Sequence, residues 1–428
     1  MLKKVLKTMI RYATMIYFRK IVVVNKDKIP TKGPVIFTPN HPGAFMDPLL
    51  VASVIERNVY FITRGESFAN KIMAKIFKHL QMIPIFRPEY SPDRVNENQF
   101  VFSQCHQVFS QGECIMIFPE GSSKTESRLR KIKTGAARMA LSYENAEELT
   151  VIPVSINYIN PHRFQTDVLI HINDPISLEE YLEKEKQESF SGVKELTNEI
   201  ERSISSSLII QENESFDDVE KEIKSLLVAH HLYKNKDANP IQLFDHVKKA
   251  MLFLSESDAN PSTSKELRTS YEDFKHKKDS LKIRNRDLFL YDEKLSPSVM
   301  LGIVLGFIPG VIGYLAYVIP FQITVWLCNL LVKRADFRGA VLLVVGMFVF
   351  LFYEIGLIYT LNVLGVPWIE MLLVLLSLPF CGIFAYHFFR WVFSMIKTNR
   401  MRKKDYQKED ILELQRMVQR LFLVLGIN

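Results

Sequence analysis

The sequence predicts an α/β domain with a mostly parallel sheet, followed by a helical segment and a C-terminal α-helical membrane domain. Two patterns predict it. From Lys20 to about residue 210, short apolar runs alternate with stretches of helical period, as expected of βαβ winding. From Pro297 to Leu331 there is no charged residue, and two further long apolar runs follow at about 339–365 and 371–396. A chain of 428 residues accommodates about two or three domains.

The formal net charge of +7 is front-loaded, because residues 1–20 hold six Lys or Arg and no acid. Basic excess suits nucleic acid or an anionic membrane surface, and the apolar C-terminal third favours the membrane over nucleic acid. Residues 1–11 alternate apolar and basic positions at roughly helical period. A signal peptide is the rival reading, but Arg11 interrupts its apolar core, no small-residue cleavage site follows, and Arg19-Lys20 come next. Residues 1–18 are therefore expected to form an interfacial amphipathic helix. A helix packed on the domain's own core is the alternative. Cys105, Cys114, Cys328 and Cys381 show no CxxC spacing. They fit a reducing, cytoplasmic compartment, and neither a disulfide framework nor a zinc site.

Residues 19–211 are assigned to the α/β domain. Its predicted strands are Ile21–Val24, Val35–Thr38, Val59–Thr63, Met82–Phe86, Ile115–Phe118, Val151–Ile156 and Val168–Ile172. Helix-like stretches at 44–55, 67–79, 95–110 and 133–144 separate them, and a helix over Ser191–Ile209 closes the domain. In such sheets ligands bind outside the carboxyl ends of the strands. Residues 212–296 read as a helical linker region, with patterns around 216–231, 241–255 and 262–281. His230-His231 has no partners at metal spacing there and is read as structural.

Residues 297–396 form the membrane region. A bilayer core takes about 20 apolar residues per helix. The first run is too long for one span and short for two, with Pro309-Gly310 and Pro320 inside it. Lys333, Arg334 and Arg338 follow the first run, and Lys397, Arg400, Arg402, Lys403 and Lys404 follow the last. Both clusters belong on the cytoplasmic side. With the α/β domain on that side too, the first run must enter and leave on one face. A re-entrant or short hairpin plus two spans is therefore expected. Glu354, the one mid-span acid, reads as part of a lipid or proton path, or as a carboxyl hydrogen-bonded to a neighbouring helix. Residues 397–428 make a cytoplasmic tail with an amphipathic helix over Tyr406–Leu425.

The chemistry concentrates in four blocks. Asn40-His41-Pro42-Gly43-Ala44-Phe45-Met46-Asp47-Pro48 follows an apolar run, and Pro42-Gly43 mark a sharp turn. An imidazole thus stands at a strand's C-terminal end with a carboxylate close behind, a base with its orienting acid. Arg64, just past a strand, offers a planar fork for phosphate oxygens; a surface salt bridge is the plain alternative. Glu120-Gly121-Ser122-Ser123 begins a loop whose small residues leave backbone N–H groups for an anion. Lys124, Arg128, Arg130, Lys131 and Lys133 crowd the same stretch. The fourth block is Val151-Ile152-Pro153-Val154. Gly-x-Ser-x-Gly is absent, against a serine hydrolase. A non-catalytic membrane lipid-binding protein would need neither the His-Asp corner nor the loop.

Together the four blocks resemble the glycerolipid acyltransferase family, which includes glycerol-phosphate and lysophosphatidate acyltransferases. Arg87 after Ile83-Pro84-Ile85-Phe86 and Lys133-Thr134-Gly135-Ala136 agree with it too, and the resemblance covers roughly residues 15–210. The family's commonest spacing has four residues between His and Asp, whereas five stand here. The resemblance is therefore closer to the branch acting on glycerol 3-phosphate or dihydroxyacetone phosphate. Positions six apart do not share a helix face, so the pair must rely on a turn at Pro42-Gly43.

The resemblance implies an integral membrane enzyme of phosphatidic acid and phospholipid biosynthesis. It would move a fatty acyl group from acyl-CoA or acyl carrier protein to an acceptor hydroxyl. His41 would act as general base and Asp47 would orient it, while Arg64, Glu120, Gly121 and Ser122 would bind the acceptor phosphate. Arg87 and Lys133 are further candidate substrate contacts, and oxyanion donors are expected near Val151–Pro153. No metal, no cofactor beyond the acyl donor and no acyl-enzyme is required. The alternative acceptor is 1-acylglycerol 3-phosphate. The catalytic domain is expected to be cytoplasmic, on a bacterial inner membrane in preference to the endoplasmic reticulum.

Overall fold

The computed structural model describes residues 2–87, 89–234, 239–293, 295–402 and 405–427. Lys403 and Lys404 of the last basic cluster lie outside the described residues. The chain divides into two compact units, one running to Ile210 and including Arg334–Ala340, the other comprising Gln211–Lys333 and the residues from Val341 onward.

The first unit runs α1 (Leu2–Tyr17), β1 (Phe18–Val24), β2 (Val35–Pro39), α2 (Met46–Val54), β3 (Val59–Arg64), α3 (Lys71–His79) and β4 (Met82–Ile85). It continues with α4 (Asn98–Ser110), β5 (Cys114–Met116), α5 (Gly135–Leu141), β6 (Thr150–Tyr158), β7 (Thr166–Ile172), α6 (Glu179–Gln187) and α7 (Ser191–Ser207). All seven predicted strands join one sheet in the order β1-β7-β6-β2-β5-β3-β4. Only β6 and β7 pair antiparallel, and every other neighbouring pair is parallel. All five residues of β2 are buried, as a parallel strand covered on both faces requires. On one face α4, α5 and α7 pack over Ile36, Ile115 and Val151. On the other, α1 packs against α2.

This order places β2, β5, β3 and β4 side by side and pointing one way, so the loops leaving their C-terminal ends open along a single edge. Two side chains secure the ends of these elements. The Asn40 amide continues the β2–β6 ladder, donating to the Ile156 carbonyl at 3.1 Å and accepting from its N–H at 2.7 Å. Lys7 of α1 donates to the Glu56 and Arg57 carbonyls just past α2, at 3.0 and 2.8 Å. Thr14 and Tyr17 of α1 are buried, while Val5, Tyr12, Met15 and Ile16 stay exposed. One face of the helix thus packs on the domain, while apolar groups on another face stay exposed.

The second unit contains α8 (Asp217–Tyr233), α9 (Pro240–Asp258), α10 (Pro261–Ser280), α11 (Asn285–Leu290), α12 (Pro297–Leu331), α13 (Arg338–Val363, from Val341 onward), α14 (Trp368–Arg402) and α15 (Asp405–Val424). Among the described residues three helices, Pro297–Leu331, Ala335–Val363 and Trp368–Arg402, are long and apolar enough to cross a membrane. The apolar side of α15, with Ile411, Leu414, Val418 and Phe422, is buried, and α15 packs with α10, α11 and α14. The tail helix thus covers its apolar face within its own unit.

The expected hairpin is not formed: the first apolar run is one continuous helix, with Pro309 and Pro320 inside it. Each proline removes one backbone donor, yet the helix continues, and glycines on either side of Pro309 serve packing. A Cβ on Gly306 would lie 2.5 Å from the Phe388 ring, and one on Gly313 would lie 2.0 Å from the Cys381 carbonyl oxygen. Small residues let two apolar helices approach this closely. These contacts make α12 and α14 antiparallel, so Lys333 and Arg400 stand at opposite ends of the pair and do not share one, as the charge pattern had suggested. Glu354 of α13 accepts a 2.6 Å hydrogen bond from the Tyr317 hydroxyl of α12. At the helix ends, Asp287 accepts from Ser394 and Lys397 and ties α11 to α14.

Candidate active site

His41 follows β2 directly, and the turn after it re-aims the chain into α2. Ala44 takes a left-handed conformation, with φ of 52°, and the N–H groups of Met46 and Asp47 bond back to the carbonyls of Gly43 and Ala44. This tight turn absorbs the additional residue between His41 and Asp47. The imidazole Nδ1 and Asp47 Oδ2 are 2.8 Å apart. With Nδ1–H donating to the carboxylate, the Nε2 lone pair is left available for a proton. Asp47 is fully buried and has two further donors, the Gly43 N–H on Oδ2 and the Tyr158 hydroxyl on Oδ1, both at 2.8 Å. Burial and the Asp47 charge push the Tyr158 phenol well above its usual range, so it stays a donor. The flank of His41 stacks on Phe118, with ring centroids 4.0 Å apart.

The Glu-Gly loop after β5 braces the histidine from below. Glu120 accepts the His41 backbone N–H at 2.6 Å on one oxygen and Arg130 Nε at 3.2 Å on the other. Burial raises the Glu120 carboxyl above the usual range, against the opposing pull of His41 and Arg130. Arg130 also donates to the Ser122 hydroxyl at 2.8 Å and to the Ser122 carbonyl. Thr125 adds a hydrogen bond to the Pro42 carbonyl. Gly121 has φ of +72°, a conformation at which only glycine avoids a steric penalty.

A cavity of about 320 Å³ opens beside these groups, lined by His41, Arg64, Arg87, Gly121, Ser122 and Lys133 and by apolar residues that include Phe45, Phe61, Met82 and Phe337. Arg64 ends β3 and Arg87 follows β4, so strand order alone makes them neighbours. Both guanidinium groups lie over the Tyr90 ring, at 5.7 and 4.5 Å from its centroid. Arg87 donates one N–H to the Gly121 carbonyl. Its Nε and Nη2 are buried and have no hydrogen-bond partner among the described residues. Burial and the charge of Arg64 pull the Arg87 guanidinium below its usual value. Two adjacent cations, one with orphaned donors, favour an anion between them. Lys133 pairs with Glu89 at 2.5 Å at the same end of the cavity.

Residues 20–157 match the family described as Acyltransferase. This stretch is an acyltransferase-family domain. An uncharacterized acyltransferase of Schizosaccharomyces pombe is 26% identical over 188 residues, covering 41% of this chain and 26% of that protein. Glycerol-3-phosphate O-acyltransferase 1 of Saccharomyces cerevisiae is 31% identical over 110 residues, covering 24% of this chain and 14% of that protein. The chain thus spans about a quarter or less of the length of these curated relatives. The crystal structure of the 1-acyl-sn-glycerophosphate acyltransferase PlsC from Thermotoga maritima superposes with a TM-score of 0.35 at 19% identity, over 48% of this chain and 78% of that one.

Within the acyltransferase domain, most of the residues singled out from sequence converge: His41, Arg64, Arg87, Gly121, Ser122 and Lys133 share one cavity. Asp47 stands behind His41. Glu120 differs from expectation, because it does not line the cavity and both its oxygens are engaged. Its negative charge would also repel a phosphate. The Val151–Pro153 donors are corrected as well. The Val151 N–H bonds to the Ile176 carbonyl, Pro153 has no N–H to give, and none of the three lines the cavity. Tyr158 and Phe337 carry no local signal for the site; each reaches it through the fold from a distant position, whereas Phe118 and Arg130 belong to the Glu-Gly block and the basic run after it. Among the described residues no cluster of His, Cys, Asp or Glu is placed to hold a metal ion.

Proposed function

We propose that this protein is a membrane-bound O-acyltransferase that moves a fatty acyl group from a thioester to the hydroxyl of glycerol 3-phosphate or dihydroxyacetone phosphate. The observation that carries this reading is the His41–Asp47 pair, 2.8 Å apart, on the rim of a cavity whose other end holds Arg64 and Arg87. A base and a phosphate fork at two ends of one cavity suit a phosphorylated alcohol. The name of the S. cerevisiae relative supports glycerol 3-phosphate as the acceptor.

In this mechanism the acceptor phosphate bridges Arg64 and the unpartnered Nε and Nη2 of Arg87, with Lys133 adding charge. Arginine suits this role because its planar fork meets two phosphate oxygens at once. The acceptor hydroxyl then lies against His41 Nε2. As that oxygen attacks the thioester carbonyl carbon, Nε2 takes its proton. The C–S bond breaks, and the imidazolium returns the proton to the departing thiolate. Asp47 holds the tautomer and stabilises the imidazolium, and general-base help of this kind is worth about 10²–10⁴ in rate. Glu120 acts by holding the His41 backbone in place. The three apolar helices support membrane attachment. The two thiols of the acyltransferase domain, Cys105 and Cys114, are free and suit a reducing, cytoplasmic setting.

The test is an acyl-transfer assay on the purified protein in detergent. Glycerol 3-phosphate, dihydroxyacetone phosphate and 1-acylglycerol 3-phosphate are offered in parallel, each with acyl-CoA and with acyl carrier protein. Ester formation on the small acceptors is expected. Preference for the lysolipid would move the reaction one acylation later, and no transfer to any acceptor would refute the proposal.

A further inference from the structure

The first unit includes one piece of chain that comes from far outside the family-matched stretch: the segment Arg334–Ala340, which joins α12 to α13. We infer that Phe337 of this segment is a specificity-determining residue, forming the wall of the catalytic cavity against which the acyl chain of the donor lies. The inference rests on the acyltransferase reading above and deepens it.

Three observations carry it. First, Phe337 lines the same cavity as His41. Its ring centroid lies 5.6 Å from that of Phe45, which belongs to the turn between His41 and Asp47. The aromatic pair therefore stands beside the base itself.

Second, the segment is closely seated. Gly339 approaches Pro161 so nearly that a Cβ there would lie 2.2 Å from the Pro161 carbonyl oxygen and 3.0 Å from the Tyr17 hydroxyl. The Tyr17 hydroxyl in turn donates to that carbonyl at 3.1 Å. Gly339 and Ala340 are both buried. The guanidinium of Arg334 lies 5.0 Å over the Phe337 ring and pairs with Asp336.

Third, the cavity is chemically two-ended. Arg64, Arg87 and Lys133 gather at the β3–β4 end, whereas Ala44, Phe45, Pro48 and Phe337 line the cavity beside α2. The phosphate of the acceptor takes the cationic end, and the uncharged acyl chain is directed to the aromatic end. His41, which lines the same cavity, would meet both the hydroxyl and the thioester. A second apolar wall, Phe61 and Met82 on the sheet side, is the competing place for the chain.

The experiment compares wild type, Phe337→Ala, Phe337→Trp and Met82→Ala, as full-length protein in detergent. Each is assayed with glycerol 3-phosphate and a series of saturated acyl-CoA donors of graded length, with thermal unfolding as a folding control and His41→Ala as a catalytic control. One methylene in an apolar pocket changes discrimination by about 10-fold. Phe337→Ala is expected to shift the optimum toward longer chains by about that factor in kcat/KM per step. Phe337→Trp is expected to shift it toward shorter ones. The KM for glycerol 3-phosphate stays at the wild-type value in both. An unchanged chain-length profile in two folded Phe337 variants overturns the inference, as does a profile that moves only with Met82→Ala. In either case a wild-type activity that depends on His41 leaves the acyltransferase reading standing. A wild-type protein that transfers no acyl group removes both.

Discussion

Tyr158 donates its hydroxyl hydrogen to Oδ1 of Asp47 at 2.8 Å, from the last residue of β6 into the first turn of α2. With the Gly43 N–H and the His41 imidazole on Oδ2, three donors meet this fully buried carboxylate. A charge out of water is stable only when paired or hydrogen-bonded in this way, so Tyr158 is part of what holds Asp47 ready for His41.

Tyr158→Phe leaves Oδ1 without its donor. The expected cost in folding stability is about 1–3 kcal/mol, read as a lower urea midpoint with an unchanged slope. kcat should also fall, less than on loss of His41. Wild-type stability and rate together would show that Asp47 does not need this hydroxyl.

Ala44 tests how the chain manages five residues between the base and its acid. A non-glycine residue at φ of 52° carries a penalty of about 1–2 kcal/mol. Ala44→Gly should relieve it and keep full activity. Ala44→Val, β-branched and at a position only 2% exposed, should lose activity as the His41–Asp47 contact opens. Equal activity of the two variants would mean that the turn does not set the pair.

Arg87 tests the phosphate end. Arg87→Lys keeps a charge but not the fork, and the KM for the acceptor should rise about 10-fold or more, as expected for a lost charge-assisted hydrogen bond. The KM for the acyl donor should stay put. A rise in donor KM alone would place the phosphate elsewhere.

Much of this was readable from the residues. Alternating apolar runs showed the seven strands, and the blocks at His41, Arg64 and Glu120 lay at strand ends because parallel sheets present their loops on one edge. What local pattern could not give was contact across distance. The role of Glu120 depends on Arg130 and on a backbone N–H from another strand. Tyr158 looks like an ordinary strand residue until β6 is placed beside β2. Phe337 sits in a short connection between apolar helices, and its sequence neighbourhood says nothing of a cavity. Pro309 and Gly310 are turn signals in isolation, and only the facing surface of α14 makes them compatible with a continuous α12.

Part of the pH dependence of stability follows from the half-buried imidazole of His106, which sits against Phe109 and Tyr143. Burial holds its pKa below the ordinary value of 6.5. The native state thus takes up this proton later than the unfolded chain, so the stability it contributes is present above about 6.5 and is lost as pH falls from there through the lower native value. The melting-temperature advantage of wild type over His106→Gln should shrink on acidification from about pH 7.5 to 5. A constant difference would mean that His106 titrates alike in both states.

The central claim is that His41, oriented by Asp47, takes the acceptor proton. The measurement is thiol release from acyl-CoA in the presence of glycerol 3-phosphate, by purified wild type, His41→Ala and Asp47→Asn with matching thermal unfolding. Both variants should lose about 10²–10⁴ in kcat, with the KM for glycerol 3-phosphate little changed. Wild-type turnover by either folded variant would contradict the mechanism.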